Sequence, residues 1–123
     1  MGLDMILVNS DCEKIAYWRK ANMIHAWFER RICSNNPEFT HFVNSWDYEV
    51  SYEDLVCLLD DIKKVLVNNT IAGEVLPTCS GFFFGSLLYD EYYFDILSNS
   101  QKMLEEILKE YCEGDTFFYS ATW

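Results

Sequence analysis

Ser51-Tyr52-Glu53-Asp54-Leu55-Val56-Cys57-Leu58-Leu59-Asp60-Asp61-Ile62-Lys63-Lys64-Val65-Leu66 holds the clearest structural signal in the chain. A serine followed three residues later by an acid resembles a capping box with the shorter carboxylate, in which two orphan amides at a helix start are satisfied reciprocally. Leu55, Leu58, Leu59, Ile62 and Leu66 then recur at helical spacing as one apolar stripe. Just before it, Tyr48 to Val50 reads as a short strand. After it, Asn68-Asn69 and Gly73 end the helix and Pro77 forbids its continuation.

Toward the C-terminus, residues 81–86 (Gly-Phe-Phe-Phe-Gly-Ser) are an aromatic run bounded by glycines and read as a strand. Asp90 is placed to cap another helix that buries Tyr93, Leu97, Ser100, Leu104, Ile107 or Leu108, and Tyr111, and ends at Gly114. Thr116 to Trp123 is a closing β run. Toward the N-terminus, Tyr17, Ala21, Ile24, Phe28 and Ile32 recur at i, i+4, i+7, i+11 and i+15, which predicts a helix from Asp11 to about Arg31. Residues 34–47 read as loop, broken by Asn35-Asn36-Pro37, and residues 3–8 are too short to assign. The expectation is one α+β domain over residues 1–123, with three main helices packed with a small antiparallel sheet.

Half of the 123 residues are apolar and 17% are aromatic, so the chain is globular rather than disordered. Its five cysteines form no C-x-x-C pair and read as reduced thiols. No signal-like or membrane-length apolar segment is present, so the expected location is the cytoplasm.

Net charge is −11, but it is segregated. Residues 13–31 hold five cations against two acids, +3, while the remaining four basic and eighteen acidic residues give −14. General nucleic-acid binding needs a broad basic face and is excluded on this balance. A compact anion held by one basic element remains open, and so does an acidic surface that occupies the basic groove of another protein.

Catalytic groupings are thin. His25 and His41 lack metal-ligand spacing, Cys79 has no base-and-orienter set, and the adjacent carboxylates Asp60-Asp61, Asp90-Glu91 and Glu105-Glu106 diverge on a helix. No phosphate-cradling glycine motif occurs, so the expectation is a binding protein without cofactor, metal or catalytic residue. Two constellations suit a ligand. Trp18, Arg19, Asn22, His25 and Arg30 combine cations, an amide and a ring within about three turns of the predicted helix, although a half-buried helix with ordinary solvated charges is the commoner meaning of such a set. Thr78, Ser80, Phe82 and Phe84 suit an anion beside a flat ring, or equally a core strand with capping hydroxyls.

The blocks Tyr17-Trp18-Arg19-Lys20-Ala21-Asn22, Ile24-His25, Trp27-Phe28, Leu76-Pro77-Thr78-x-Ser80-Gly81-Phe82-Phe83-Phe84-Gly85, Tyr89-Asp90-Glu91-Tyr92-Tyr93 and Tyr119-Ser120-x-x-Trp123 resemble a family of small, mostly uncharacterised proteins common in tailed-phage genomes. The likeness runs along nearly the whole chain and departs at Cys79 and Leu87-Leu88, where more polar residues are expected. The resemblance implies a phage or prophage protein acting against host defence. Such proteins include sponges that sequester cyclic-nucleotide immune signals in pockets completed by oligomerisation. They also include protein-target inhibitors, such as anti-CRISPRs, that plug a defence effector. On the first reading Arg19 and Arg30 neutralise phosphate, Trp18, Phe82 or Phe84 stack on bases, and Asn22, Thr78 and Ser80 supply hydrogen bonds.

Overall fold

The computed structural model describes residues 3–39, 42, 45–80 and 87–123. In chain order the elements are β1 (Asp4–Asn9), β2 (Lys14–Arg19), α1 (Asn22–Asn35), β3 (Tyr48–Ser51), α2 (Tyr52–Val67), a 3-10 turn (Asn69–Ile71), α3 (Ala72–Val75), α4 (Glu91–Glu110) and β4 (Thr116–Thr122). The strands form one antiparallel sheet in the order β2-β1-β4-β3. The α+β class therefore holds. Three of the four α-helices among the described residues are long, and α3 is a single short turn.

The helix expected from Asp11 to Arg31 does not form as one element. Residues 14–19 are a strand, and Ala16 and Trp18 face the core at period two while Tyr17, assigned to the apolar helix face, is 47% exposed. The unassigned residues 3–8 supply its partner β1, whose Met5, Leu7 and Asn9 are buried in alternation. The two strands close through a turn organised by Asn9, whose Oδ1 accepts the amides of Asp11 at 3.0 Å and Glu13 at 2.9 Å. Lys20, at φ 55°, then turns the chain into α1, and its amide donates to the Leu3 carbonyl at 2.7 Å.

The β3–α2 junction forms as read. Ser51 Oγ accepts the Asp54 amide at 3.1 Å and Asp54 Oδ2 accepts the Ser51 amide at 3.0 Å, a complete capping box. Leu55, Leu58, Leu59 and Ile62 are buried, with Val65 rather than Leu66 completing the stripe. Asp90 Oδ1 accepts the Tyr93 amide at 3.1 Å and starts α4. That helix buries Tyr93, Leu97, Ser100, Leu104 and Ile107. It stops at Glu110, four residues before the expected end, and Gly114, at φ 102°, instead serves the turn into β4.

Together α1, α2 and α4 cover one face of the sheet. The core lies between the layers, with Phe28 stacked on Tyr119 of β4 at 4.1 Å between ring centres. No described helix is long and apolar enough to cross a membrane.

Candidate functional site

The residues singled out on the first predicted helix are split between two elements, Trp18 and Arg19 on β2 and Asn22, His25 and Arg30 on α1. Trp18 is 4% exposed, its Nε1 donates to Ser100 Oγ at 2.8 Å and its ring meets Phe28 edge-on. An indole enclosed in this way offers no face for stacking on a base. Arg19 points to the other side of the sheet, where its Nη1 donates to Asp4 Oδ1 at 2.9 Å and the Tyr17 hydroxyl donates to the same oxygen at 2.8 Å. The Tyr17 hydroxyl, with Arg19, holds the Asp4 carboxyl below its ordinary range.

His25 is 3% exposed and shares a 2.6 Å hydrogen bond between Nδ1 and the Tyr119 hydroxyl, within a cage of Phe42, Tyr119 and Trp123 rings. Burial lowers its pKa to about 4 against an opposing pull from Glu29, so the imidazole is neutral near pH 7. Burial likewise holds the Tyr119 phenol protonated far above its ordinary range.

Asn22 and the segment after α3 do meet. Asn22 Oδ1 accepts the Cys79 amide at 3.0 Å, and Arg30 Nη2 reaches the Val75 carbonyl at 3.5 Å. Thr78 is held in place by its own bonds, its amide donating to the Tyr89 hydroxyl at 3.2 Å and its hydroxyl to the Leu87 carbonyl at 3.0 Å. Ser80 is exposed. Phe82, Phe84, the strand expected over residues 81–86 and His41 lie outside the described residues. Burial and Glu29 push the Cys79 thiol up while Arg30 pulls it down, and the net shift is upward, so the sulfur is not an activated thiolate.

Between α1, α2 and α3 opens a cleft of about 400 Å³ whose walls include Trp27, Arg30, Arg31, Ser34, Cys57 and Asp61. Residues 27, 30, 31 and 34 fall at i, i+3, i+4 and i+7, which brings them to one side of α1. Trp27, Asp61, Arg31 and Cys57 already have partners. Trp27 Nε1 donates to Asp61 Oδ2 at 2.8 Å, and Lys64 Nζ stands 3.8 Å from the other oxygen of that carboxylate. Arg31 Nε donates to Asp54 Oδ1 at 2.7 Å, a bond that raises the Arg31 pKa, and its Nη2 donates to Cys57 Sγ at 3.6 Å. Arg30 differs: among the described residues no carboxylate pairs with it.

Sequence reasoning selected Arg30 but missed Trp27, Arg31 and Ser34. Their signal was the i, i+4, i+7 repeat of Trp27, Arg31 and Ser34 on the flank beside the predicted apolar face. Among the described residues no group of three or more His, Cys, Asp or Glu is arranged to hold a metal. Comparison with known protein families, curated proteins and solved structures found no match.

Proposed function

We propose that the protein acts by stoichiometric binding of a small anion of the nucleotide class in the cleft between α1 and α2, with Arg30 as the anion-holding residue. The observation that carries this is the Arg30 guanidinium at a cleft wall, without a carboxylate partner among the described residues, beside the Ser34 hydroxyl one turn further on. A guanidinium presents a planar fork of donors that matches phosphate oxygens. The cleft volume of about 400 Å³ suits a ligand of nucleotide size. Asn22, through its bond to the Cys79 amide, ties the segment that carries Thr78 and Ser80 to the start of α1, and neither hydroxyl lines the cleft. Trp18, Arg19 and His25 serve the fold in this reading rather than the ligand.

The setting we propose is phage counter-defence, in which a small cyclic nucleotide immune signal is sequestered unchanged. Its support is the set of sequence blocks from Tyr17 to Phe28, Leu76 to Gly85 and Tyr89 to Tyr93. The test is calorimetric titration with a panel of cyclic di- and trinucleotides, followed by heat release and mass analysis. One ligand is expected to bind and return intact, Arg30→Ala to abolish binding without moving the unfolding midpoint, and Arg19→Ala to leave affinity unchanged. Unaltered affinity in Arg30→Ala overturns the site, and recovery of a cleaved nucleotide overturns sequestration. The alternative, a protein-target inhibitor such as an anti-CRISPR, rests on the −14 of charge outside residues 13–31. Absence of binding to every nucleotide, with salt-sensitive capture of a basic host effector, would favour it.

A further inference from the structure

The helices pack on one face of the sheet, and the opposite face carries a row that runs Lys14, Val8, Phe118, Glu49 through the three strand pairings. A second row runs Tyr17, Ile6, Ser120. Residues paired across antiparallel strands project from the same side. Lys14 Nζ stands 5.7 Å over the Tyr17 ring, which puts that ammonium on the outer face. Ile6, Val8 and Phe118 are half-buried yet stand outside the core cluster. The outer face thus carries an apolar strip with Lys14 at the β2 edge and Glu49 at the β3 edge, flanked further along the strands by a third row of Arg19, Asp4 and Thr122 in which Arg19 and Asp4 pair with each other.

We propose that this face is the interface of a two-fold dimer of the chain. A two-fold axis parallel to the strands and running between β1 and β4 exchanges β2 with β3 and β1 with β4. Under that operation Val8 meets Phe118 of the second copy and Lys14 meets its Glu49, each contact occurring twice. The opposite charges at the two ends of the row make the surface complementary to itself, whereas ends of like sign would repel a second copy. Sheets stacked in this way lie about 10 Å apart with strands within about 30° of each other. A face roughly 20 Å by 20 Å covers ~400 Å² per copy, below the standard size of specific interfaces, so the dimer is weak, in roughly the micromolar range. The interface lies across the sheet from the α1–α2 cleft, and its existence does not depend on the nucleotide reading.

Sedimentation equilibrium over a range of concentrations tests it. The wild-type chain is expected to show a monomer–dimer equilibrium. Lys14→Glu and Glu49→Lys should each weaken it roughly tenfold, because each turns two attractive contacts into repulsive ones. The double variant Lys14→Glu/Glu49→Lys restores opposite charges and should recover most of the affinity. Phe118→Ser should leave a monomer, with circular dichroism melting as the check that each variant folds. A wild-type chain that stays monomeric throughout, or a double variant no tighter than the weaker single one, overturns the proposal.

Discussion

From Asn22 to Phe28 every residue of α1 is buried, whereas from Glu29 to Asn35 only Ile32 is. The first half sits under the sheet, where Asn22 and His25 are answered by the Cys79 amide and the Tyr119 hydroxyl. The second half runs out along the α2 side and brings two arginines to a cleft. Asparagine stands in both halves, Asn22 buried and Asn35 exposed. Availability for a ligand is decided by which groups the fold has already paired, not by residue type.

The largest effect expected on this division comes from Phe28→Ala. The Phe28 ring stacks on Tyr119 with 19° between planes and touches the Trp18 and Trp27 rings edge-on. Its removal should cost ~3–5 kcal/mol in urea unfolding. Ser34→Ala, in the open half, should change stability by less than ~0.5 kcal/mol. Similar costs at the two positions would erase the distinction between the halves.

His25 gives a pH dependence of the enclosed half. Its folded pKa of about 4 lies below the ordinary 6.5, so between those values the unfolded chain binds more protons than the folded one. The resulting stability is fully present above pH 6.5 and is lost as pH falls toward 4. The total is on the order of 3 kcal/mol. Urea midpoints measured across that window should fall steeply for the wild type and less steeply for His25→Asn. Equal slopes would mean that the imidazole is not shielded from protonation.

The parts of the fold that were legible are those in which the deciding contacts are local. The Ser51–Asp54 box and the Asp90 cap span three residues each, and the buried stripes of α2 and α4 follow from spacing alone. The β1–β2 hairpin was not legible, because the spacing from Tyr17 to Ile32 matches a helix as far as the left-handed turn at Lys20. What overrides that pattern is pairing of β1 with β4, more than a hundred positions away in sequence. The site follows the same rule. Arg30 was recognisable as a cation, but the partners that close off Trp18 and His25 lie 82 and 94 positions along the chain.

The finest test of the open half sets two adjacent arginines against each other. Arg31 donates to Asp54, whose side chain is only 9% exposed and also caps α2 through the Ser51 amide. Arg31→Ala removes one partner from that carboxylate but leaves the capping bond, so a loss of ~0.5–1 kcal/mol is expected for a partly screened pair. Arg30→Ala removes, among the described residues, a 3.5 Å contact to a carbonyl, and should leave the unfolding midpoint in place while nucleotide binding disappears. Stability and affinity thus separate across one peptide bond. If Arg30→Ala instead destabilised the chain as much as Arg31→Ala, its guanidinium would be part of the internal pairing, and the second half of α1 would be as closed to ligands as the first.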